Sequence, residues 1–236
     1  MNLVLFDCDG TLADSFGVIC ETMRRCFVTA GLPAPDEAAT QGIIGLSLDL
    51  AIHRLAPTLA PDALPGMVEI YRDEFHRLRA EDSFPERLFP GIEPMLRDLA
   101  LHDDVLLGMV TGKSRRGVRL VVEAHALESI FQVVRTADDC PSKPHPAMVL
   151  ECCREMGVDA RQAIVIGDAT FDMQMARAAG ADALGVAWGA QRRDALIAAG
   201  AGDVAETVPD LVALLDGWLT DRWTANAPTL PVFVTG

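Results

Sequence analysis

Short continuous apolar runs recur along the chain: LVLFD at 3–7, VLLGMVT at 105–111, FQVVRT at 131–136, AIVIGD at 163–168 and ALGVAW at 183–188. Runs of this length without polar alternation mark strands buried on both faces. Between them lie stretches with helical spacing, over 91–101, 114–127, 147–156, 171–179 and 191–199, and a closing helix over 209–219. Strand alternating with helix predicts an α/β fold, a mainly parallel sheet with helices on both faces.

The alternation breaks between 15 and 90, where no good strand is found. FGVICETMRRCFVTAGL reads as a helix ended by Gly31, SLDLAIHRLA as a second and GMVEIYRDEFHRLRA as a third. In the third, Tyr71, Phe75 and Leu78 fall at i, i+4 and i+7 and mark its buried face. A helical module is thus expected to interrupt the sheet after its first strand, returning through FPERLFPG at 84–91. The expected division is a core of 1–14 and 88–220, a helical cap of 15–87 and an extended tail of 221–236, since the final residues carry two prolines and no periodicity.

Composition narrows the function. The chain has 236 residues, 50% of them hydrophobic, enough for a full core, and 6% aromatic, so that core is mostly aliphatic. A net charge of -14 argues against nucleic acid or an anionic membrane surface as main partner. An anionic substrate stays open, because a bound cation can reverse the local field. Six cysteines without a CxxC form neither a zinc knuckle nor a disulfide framework and suit free thiols in the cytoplasm. No apolar stretch approaches the roughly 20 residues of a membrane span. No targeting segment is expected, because the first strand begins by Leu3. The oligomeric state is not readable.

In a parallel α/β sheet, ligands bind beyond the carboxyl ends of the strands. Those ends carry Asp7 and Asp9, then Thr111, Gly112 and Lys113, then Ser142 and Lys143, then Asp168 with Asp172 four residues on. Each has a plain structural alternative: an aspartate at a strand end caps a turn, and Asp172 could favour a helix start through the dipole. In order, however, DCDGTLADS, VTGKS, SKPHP and GDATFD resemble the four motifs of the haloacid dehalogenase-like hydrolase superfamily. The likeness covers nearly the whole chain. It is closest to the phosphoglycolate-phosphatase-like subgroup, which has a helical cap inserted after the first motif of a Rossmann-like core.

The resemblance implies roles. Asp7 is the nucleophile that forms an aspartyl-phosphate, and Asp9 the general acid and later base. Thr111, Gly112 and Lys143 bind the phosphoryl group, and Lys143 neutralises the reacting centre. Mg²⁺ is held by Asp7, Asp168 and the backbone oxygen of Asp9, with Asp172 supporting the metal shell or Lys143. Gly10 and Thr11 let the chain turn beneath the phosphate, and Asp14 and Ser15 mark its departure for the cap. Lys113 is read as a surface residue, His145 as structural, and Arg54, Arg72, Arg77 and Arg79 as solvated helix faces; GIIGLS at 42–47 is either a helix–helix turn or, as the resemblance to related caps implies, a stretch near the substrate. GMVTGKS is not a P-loop, because Gly108 lies four residues before Gly112 where five are required.

The expected activity is hydrolysis of a small phosphorylated metabolite, with phosphoglycolate a candidate. By the same resemblance, dehalogenating relatives lack the second aspartate, present here as Asp9, and phosphonate-cleaving relatives use a cap lysine, whereas 15–90 contains none. A sugar phosphomutase or a pyrophosphatase on the same scaffold remains an alternative. In another class, so does a non-catalytic sensor of phosphorylated ligands, which retention of the whole residue set disfavours.

Overall fold

A computed structural model describes residues 1–81 and 87–225, without the side chains of 80 and 221–225. Six strands form one parallel sheet: β1 (Asn2–Phe6), β4 (Val105–Val110), β5 (Val133–Arg135), β6 (Ala163–Gly167), β7 (Asp182–Val186) and β8 (Asp203–Ala205), in the order β5-β4-β1-β6-β7-β8. From β1 the chain builds outward through β4 and β5, then crosses to build β6, β7 and β8 on the other side. The order therefore reverses between β1 and β6, where the crevice of such a sheet opens.

The apolar runs are fully apolar because both faces are covered. Val4 and Phe6 of β1 point into one hydrophobic cluster, with helices α5 (Ile92–Leu99), α6 (Arg115–Ala124) and α10 (Val208–Ala225). Leu3 and Leu5 point into another, with α7 (Ala147–Met156), α8 (Thr170–Ala179) and α9 (Arg193–Ala198). Burial of both faces drives the layering at roughly 25 cal/mol per Å² of apolar surface.

The interrupting module consists of α1 (Phe16–Thr29), α2 (Glu37–Gln41), α3 (Leu48–Leu55) and α4 (Leu64–Ala80). Met23, Phe27, Ile52 and Met67 fill its own small core, which also takes in Ala169 and Phe171 from the start of α8. Leu78 is fully buried, and Tyr71 stacks on Phe75 with ring centres 6.2 Å apart, as the spacing along α4 predicts.

Three features depart from the sequence reading. The two crossings between sheet and module pair as a short antiparallel ribbon, β2 (Ala13–Asp14) with β3 (Arg87–Leu88), so 15–90 does contain a strand. β8 was not anticipated, because DVA is too short to register as an apolar run. Helix α10 continues to Ala225, into the stretch read as extended tail; the rest of that tail, 226–236, lies outside the described residues, as do 82–86 of the return linker. Among the described residues no helix is long and apolar enough to cross a membrane.

Candidate active site

Asp7 follows β1 directly, and its N–H donates to Ile166 O at 2.9 Å, holding it at the sheet edge beside β6. Its Oδ1 accepts the Cys8 N–H at 2.7 Å and meets Lys143 Nζ at 2.8 Å. Its Oδ2 is buried and has no hydrogen-bond partner among the described residues. Lys143, in the loop after β5, is wholly buried and also pairs with Asp172 Oδ1 at 2.6 Å. The Lys143–Pro144 peptide is cis.

Asp168 directly follows β6 and is gripped by two loops. Thr11 Oγ1 donates to its Oδ1 at 2.8 Å, and the Ala190 N–H to its Oδ2 at 2.7 Å. Gly10, at φ +84°, lies so close that a Cβ there would stand 2.2 Å from Asp168 Oδ2. Left-handed backbone and absent side chain are both needed at that position. Trp188 ties the two loops together, its Nε1 donating to Thr11 O at 3.2 Å. Asp172 serves two ends: Oδ1 takes Lys143, while Oδ2 accepts the Ala169 N–H at 3.1 Å at the start of α8. The helix-start alternative for Asp172 is therefore real, and compatible with the other.

Asp7, Asp168 and Asp172 each place a carboxylate oxygen within 4.8 Å of the others. Burial pushes the Asp7 carboxyl up to about 7, with Lys143 opposing and Asp172 adding to the rise. Burial pushes Asp168 up to about 8, with the charges of Asp7 and Asp172 next in weight. Burial alone would lower the Lys143 ammonium, but Asp172 and Asp7 outweigh it and hold it above its ordinary value. One buried lysine therefore does not neutralise three buried carboxyls. The unpartnered Oδ2, the close-set oxygens and their hard-donor chemistry fit a small divalent cation such as Mg²⁺.

On the β4 side, Thr111 is buried, and its N–H donates to Arg135 O at 3.0 Å, extending the β4–β5 ladder. Thr111 and Gly112 stand just before α6, whose cap Ser114 accepts the Gly117 N–H at 3.2 Å. Gly112 lies beneath the module: a Cβ there would be 2.5 Å from the carbonyl oxygens of Gly45 and Leu46. The same 42–47 loop bonds to the core through the Ser47 N–H, which donates to Ser142 Oγ at 2.8 Å. Gly45 faces Asp7, a Cβ on it lying 3.9 Å from Oδ2. The GIIGLS stretch is thus a turn between helices and also the roof of the acid cluster.

Asp9 turns the other way. Its Oδ1 pairs with Lys113 Nζ at 2.7 Å, with side chains 12% and 7% exposed. This corrects the reading of Lys113 as a surface residue. Its ammonium also lies 5.7 Å from the Phe75 ring centre, so the module covers it. Beyond this pair opens a pocket of about 760 Å³ between module and sheet, lined by Asp9, Gly112 and Lys113 on the floor and by Ile44, Tyr71 and Phe75 above. Of the cap arginines, Arg72 and Arg77 pair with neighbours on their own helix, Glu69 and Glu74. Arg54 departs from a purely solvated role, since its guanidinium lies 4.9 Å from the Phe171 ring centre. Arg79 departs too, with a buried Nη1. His145 Nδ1 accepts the Ala147 N–H at 3.2 Å, a structural contact at the start of α7.

The strand-end residues Asp7, Lys143, Asp168 and Asp172 thus converge on one buried cluster, Asp9 and Gly112 line the pocket, and Thr111 is buried at the end of β4 just before Gly112. Sequence reasoning missed the support: the Thr11 hydroxyl on Asp168, the 188–190 loop and the Ser142 link to the module. Thr11 was within reach of inspection, being a hydroxyl beside two acids. The 188–190 loop carried no polar signal, because it acts through a backbone N–H.

A family model described as haloacid dehalogenase-like hydrolase matches residues 4–186. Among curated relatives, the protein named Probable phosphatase IndB from Dickeya dadantii is 32% identical over 89% of this chain and 91% of its own. A phosphoglycolate phosphatase from Yersinia pestis is 29% identical over 79% of this chain and 81% of its own. Among solved structures, a hydrolase from Pseudomonas syringae superposes with a TM-score of 0.82 at 25% identity, covering 92% of this chain and 99% of that one.

Proposed function

The chain belongs to the haloacid dehalogenase-like hydrolase family, and from that premise we propose a Mg²⁺-dependent phosphohydrolase that cleaves a small phosphorylated metabolite through an aspartyl-phosphate. Phosphoglycolate is a candidate substrate. The observation that carries the reading is Asp7 Oδ2, a buried carboxylate oxygen beneath the 42–47 loop with no hydrogen-bond partner among the described residues. Leaving such an atom unsatisfied costs about 1–3 kcal/mol or more for a charged group, which points to an absent ligand or reactant.

In the first step Asp7 Oδ2 attacks phosphorus, the bond to the leaving oxygen breaks and Asp9 gives that oxygen its proton. In the second, water attacks the aspartyl-phosphate, Asp9 takes back a proton and Asp7 is freed as a carboxylate with release of phosphate. Thr111 and the Gly112 N–H, at the start of α6, hold phosphoryl oxygens. Lys143 keeps Asp7 in position and balances charge as it shifts, with Asp172 fixing Lys143. Asp7, Asp168 and the backbone oxygen of Asp9 would hold Mg²⁺, which supplies charge neutralisation for the carboxylates and the phosphoryl group. Residues 15–87 act as a cap that excludes water and selects the leaving group; 1–14 with 88–220 form the catalytic core. All six cysteines are free thiols, which suits a cytoplasmic setting.

Phosphate release from a panel of phosphomonoesters, with pyrophosphate included, tests the reading with and without Mg²⁺. Release that requires Mg²⁺ is expected from the wild type, and none from Asp7→Asn, which should also fail to take up a phosphoryl label. Substantial turnover by Asp7→Asn would overturn the assignment.

A further inference from the structure

A leaving alcohol that takes its proton from Asp9 must lie in the pocket that Asp9 lines. Glycolate, the alcohol of phosphoglycolate, is a handful of heavy atoms; at roughly 30 Å³ for each, the share of a water molecule in the liquid, it occupies about 150 Å³. The pocket holds about 760 Å³, about five times that space. Volumes of about 300–1,000 Å³ suit ligands of drug size. The size of the pocket therefore asks for a bulkier alcohol, and its walls say of what kind.

Val68, Tyr71 and Phe75 fall at i, i+3 and i+7 along α4 and present one half-buried stripe to the pocket, the two rings stacked and 16° from parallel. Leu120 lines it from α6. Val118 and Val121 of that helix are buried against the sheet, whereas Leu120 is half-buried and, among the described residues, joins none of the hydrophobic clusters. The polar groups of the lining are engaged or peripheral. At the floor Asp9 and Lys113 offset each other's charge at 2.7 Å, and Ser114 Oγ accepts the Gly117 N–H. The other acids and arginines of the lining, Asp49, Glu69, Arg72, Asp73, Arg116 and Asp138, are all exposed at the rim, where water screens them. Between floor and rim stands hydrocarbon with no protein against it, and an apolar patch with a polar rim marks a ligand-binding groove.

We propose that this pocket receives an apolar group on the leaving alcohol, so that the preferred substrates are phosphomonoesters of alcohols bearing an aromatic ring or a hydrocarbon of similar bulk. The proposal rests on the phosphohydrolase reading and narrows its substrate class. Leu120 and the Val68–Tyr71–Phe75 stripe are the specificity-determining residues. Phosphoglycolate, small and anionic, leaves most of this wall in water. An aryl group removes both surfaces from water, and binding energy gained away from the scissile bond raises kcat/KM.

The test compares kcat/KM for ethyl phosphate, 2-phenylethyl phosphate, 2-phosphoglycolate and the phosphate monoester of triethylene glycol. All leave from a primary carbon, so the scissile bond changes little, and the glycol ester supplies bulk without apolarity. The wild type is expected to favour the phenylethyl ester over each of the others by ~10- to 100-fold. Leu120→Asn should lower the phenylethyl-to-ethyl ratio by at least ~4-fold, the equivalent of one buried methylene. Val68→Thr keeps the shape of its side chain and should lower the ratio in the same direction, which covers the case in which the first variant perturbs folding. A wild type that treats phenylethyl and ethyl esters alike, or prefers 2-phosphoglycolate, would overturn the proposal. So would equal acceleration by the glycol ester, which would mean that the pocket takes bulk of any polarity. A ratio unchanged in both variants would remove the assignment to these residues and with it the proposal. Failure of the underlying reading looks different: no phosphate from any ester, p-nitrophenyl phosphate included, with Mg²⁺ present.

Discussion

Lys143 holds together two carboxylates that would otherwise face each other in the interior, at 2.8 Å from Asp7 and 2.6 Å from Asp172. Removing one partner of a buried ion pair leaves uncompensated charge and typically costs about 3–5 kcal/mol. Lys143→Met is therefore expected to lose stability on that scale in urea unfolding and to lose turnover. Adding Asp172→Asn removes one of the stranded charges and should recover part of the stability but none of the activity. Recovery of both would mean that Lys143 serves the fold alone. This lysine was legible in the sequence, because its SKPHP setting follows a strand end and strand ends face the crevice. Lys113 was not. A lysine just past a strand reads as solvated unless one knows what covers it, and Phe75, its cover, is 38 residues away in another module. Identity and spacing expose residues whose neighbours are local; a residue buried by a distant helix leaves no trace in its own segment.

At the scale of elements, the long apolar strands β1, β4 and β6 and helix α7 were readable because burial on two faces or one stripe writes a pattern over five residues or more. The two-residue strands β2 and β3 carry no such pattern; they exist because the chain leaves and re-enters the sheet at one place and its backbone groups pair there. The seating of the module on the sheet was equally invisible. It depends on Gly112 having no side chain beneath the Gly45 and Leu46 carbonyls, 2.5 Å from where a Cβ would lie. Backbone cannot yield there as a flexible side chain could. Gly112→Ala should lift the 42–47 loop from the core at a cost of roughly 1–3 kcal/mol. The expected signature is faster amide exchange in that loop and a fall in kcat/KM, with unfolding of the sheet little changed. Unaltered exchange across 42–47 would show that the contact is not what seats the cap. Trp188 makes the complementary link between the two loops that grip Asp168, and its ring also packs against Phe89 beside β3, the centroids 6.2 Å apart. Trp188→Phe keeps an aromatic ring against Phe89 and loses the N–H, so it should weaken Mg²⁺ binding measured by calorimetry more than it lowers thermal stability.

For the molecule as a whole, the acid cluster makes folding, protons and metal one equilibrium. Asp7 and Asp168 are pushed up to about 7 and about 8, whereas aspartate in an unfolded chain titrates near 3.9. Between about pH 4 and 8 the metal-free folded chain thus holds more protons at these two positions than the unfolded chain does. Stability then falls as pH rises through that window, because the slope follows protons bound in the unfolded state minus those bound in the folded state. A divalent cation among the same oxygens replaces those protons, and its stabilisation acts by mass action on the folded form alone. The melting temperature of the metal-free protein should therefore drop between pH 5 and pH 8, and saturating Mg²⁺ should raise it more at pH 8 than at pH 5. For a chain of this size each kcal/mol corresponds to roughly 2–4 °C. Other groups titrate over the same range, so the comparison that isolates the cluster is Asp168→Asn, which removes one of the repelling carboxylates while keeping an oxygen for Thr11. That variant should lose less stability between pH 5 and 8 without metal and gain less from Mg²⁺ at pH 8. Parallel profiles for wild type and variant would refute the argument that mutual repulsion of buried carboxylates creates the demand for the cation.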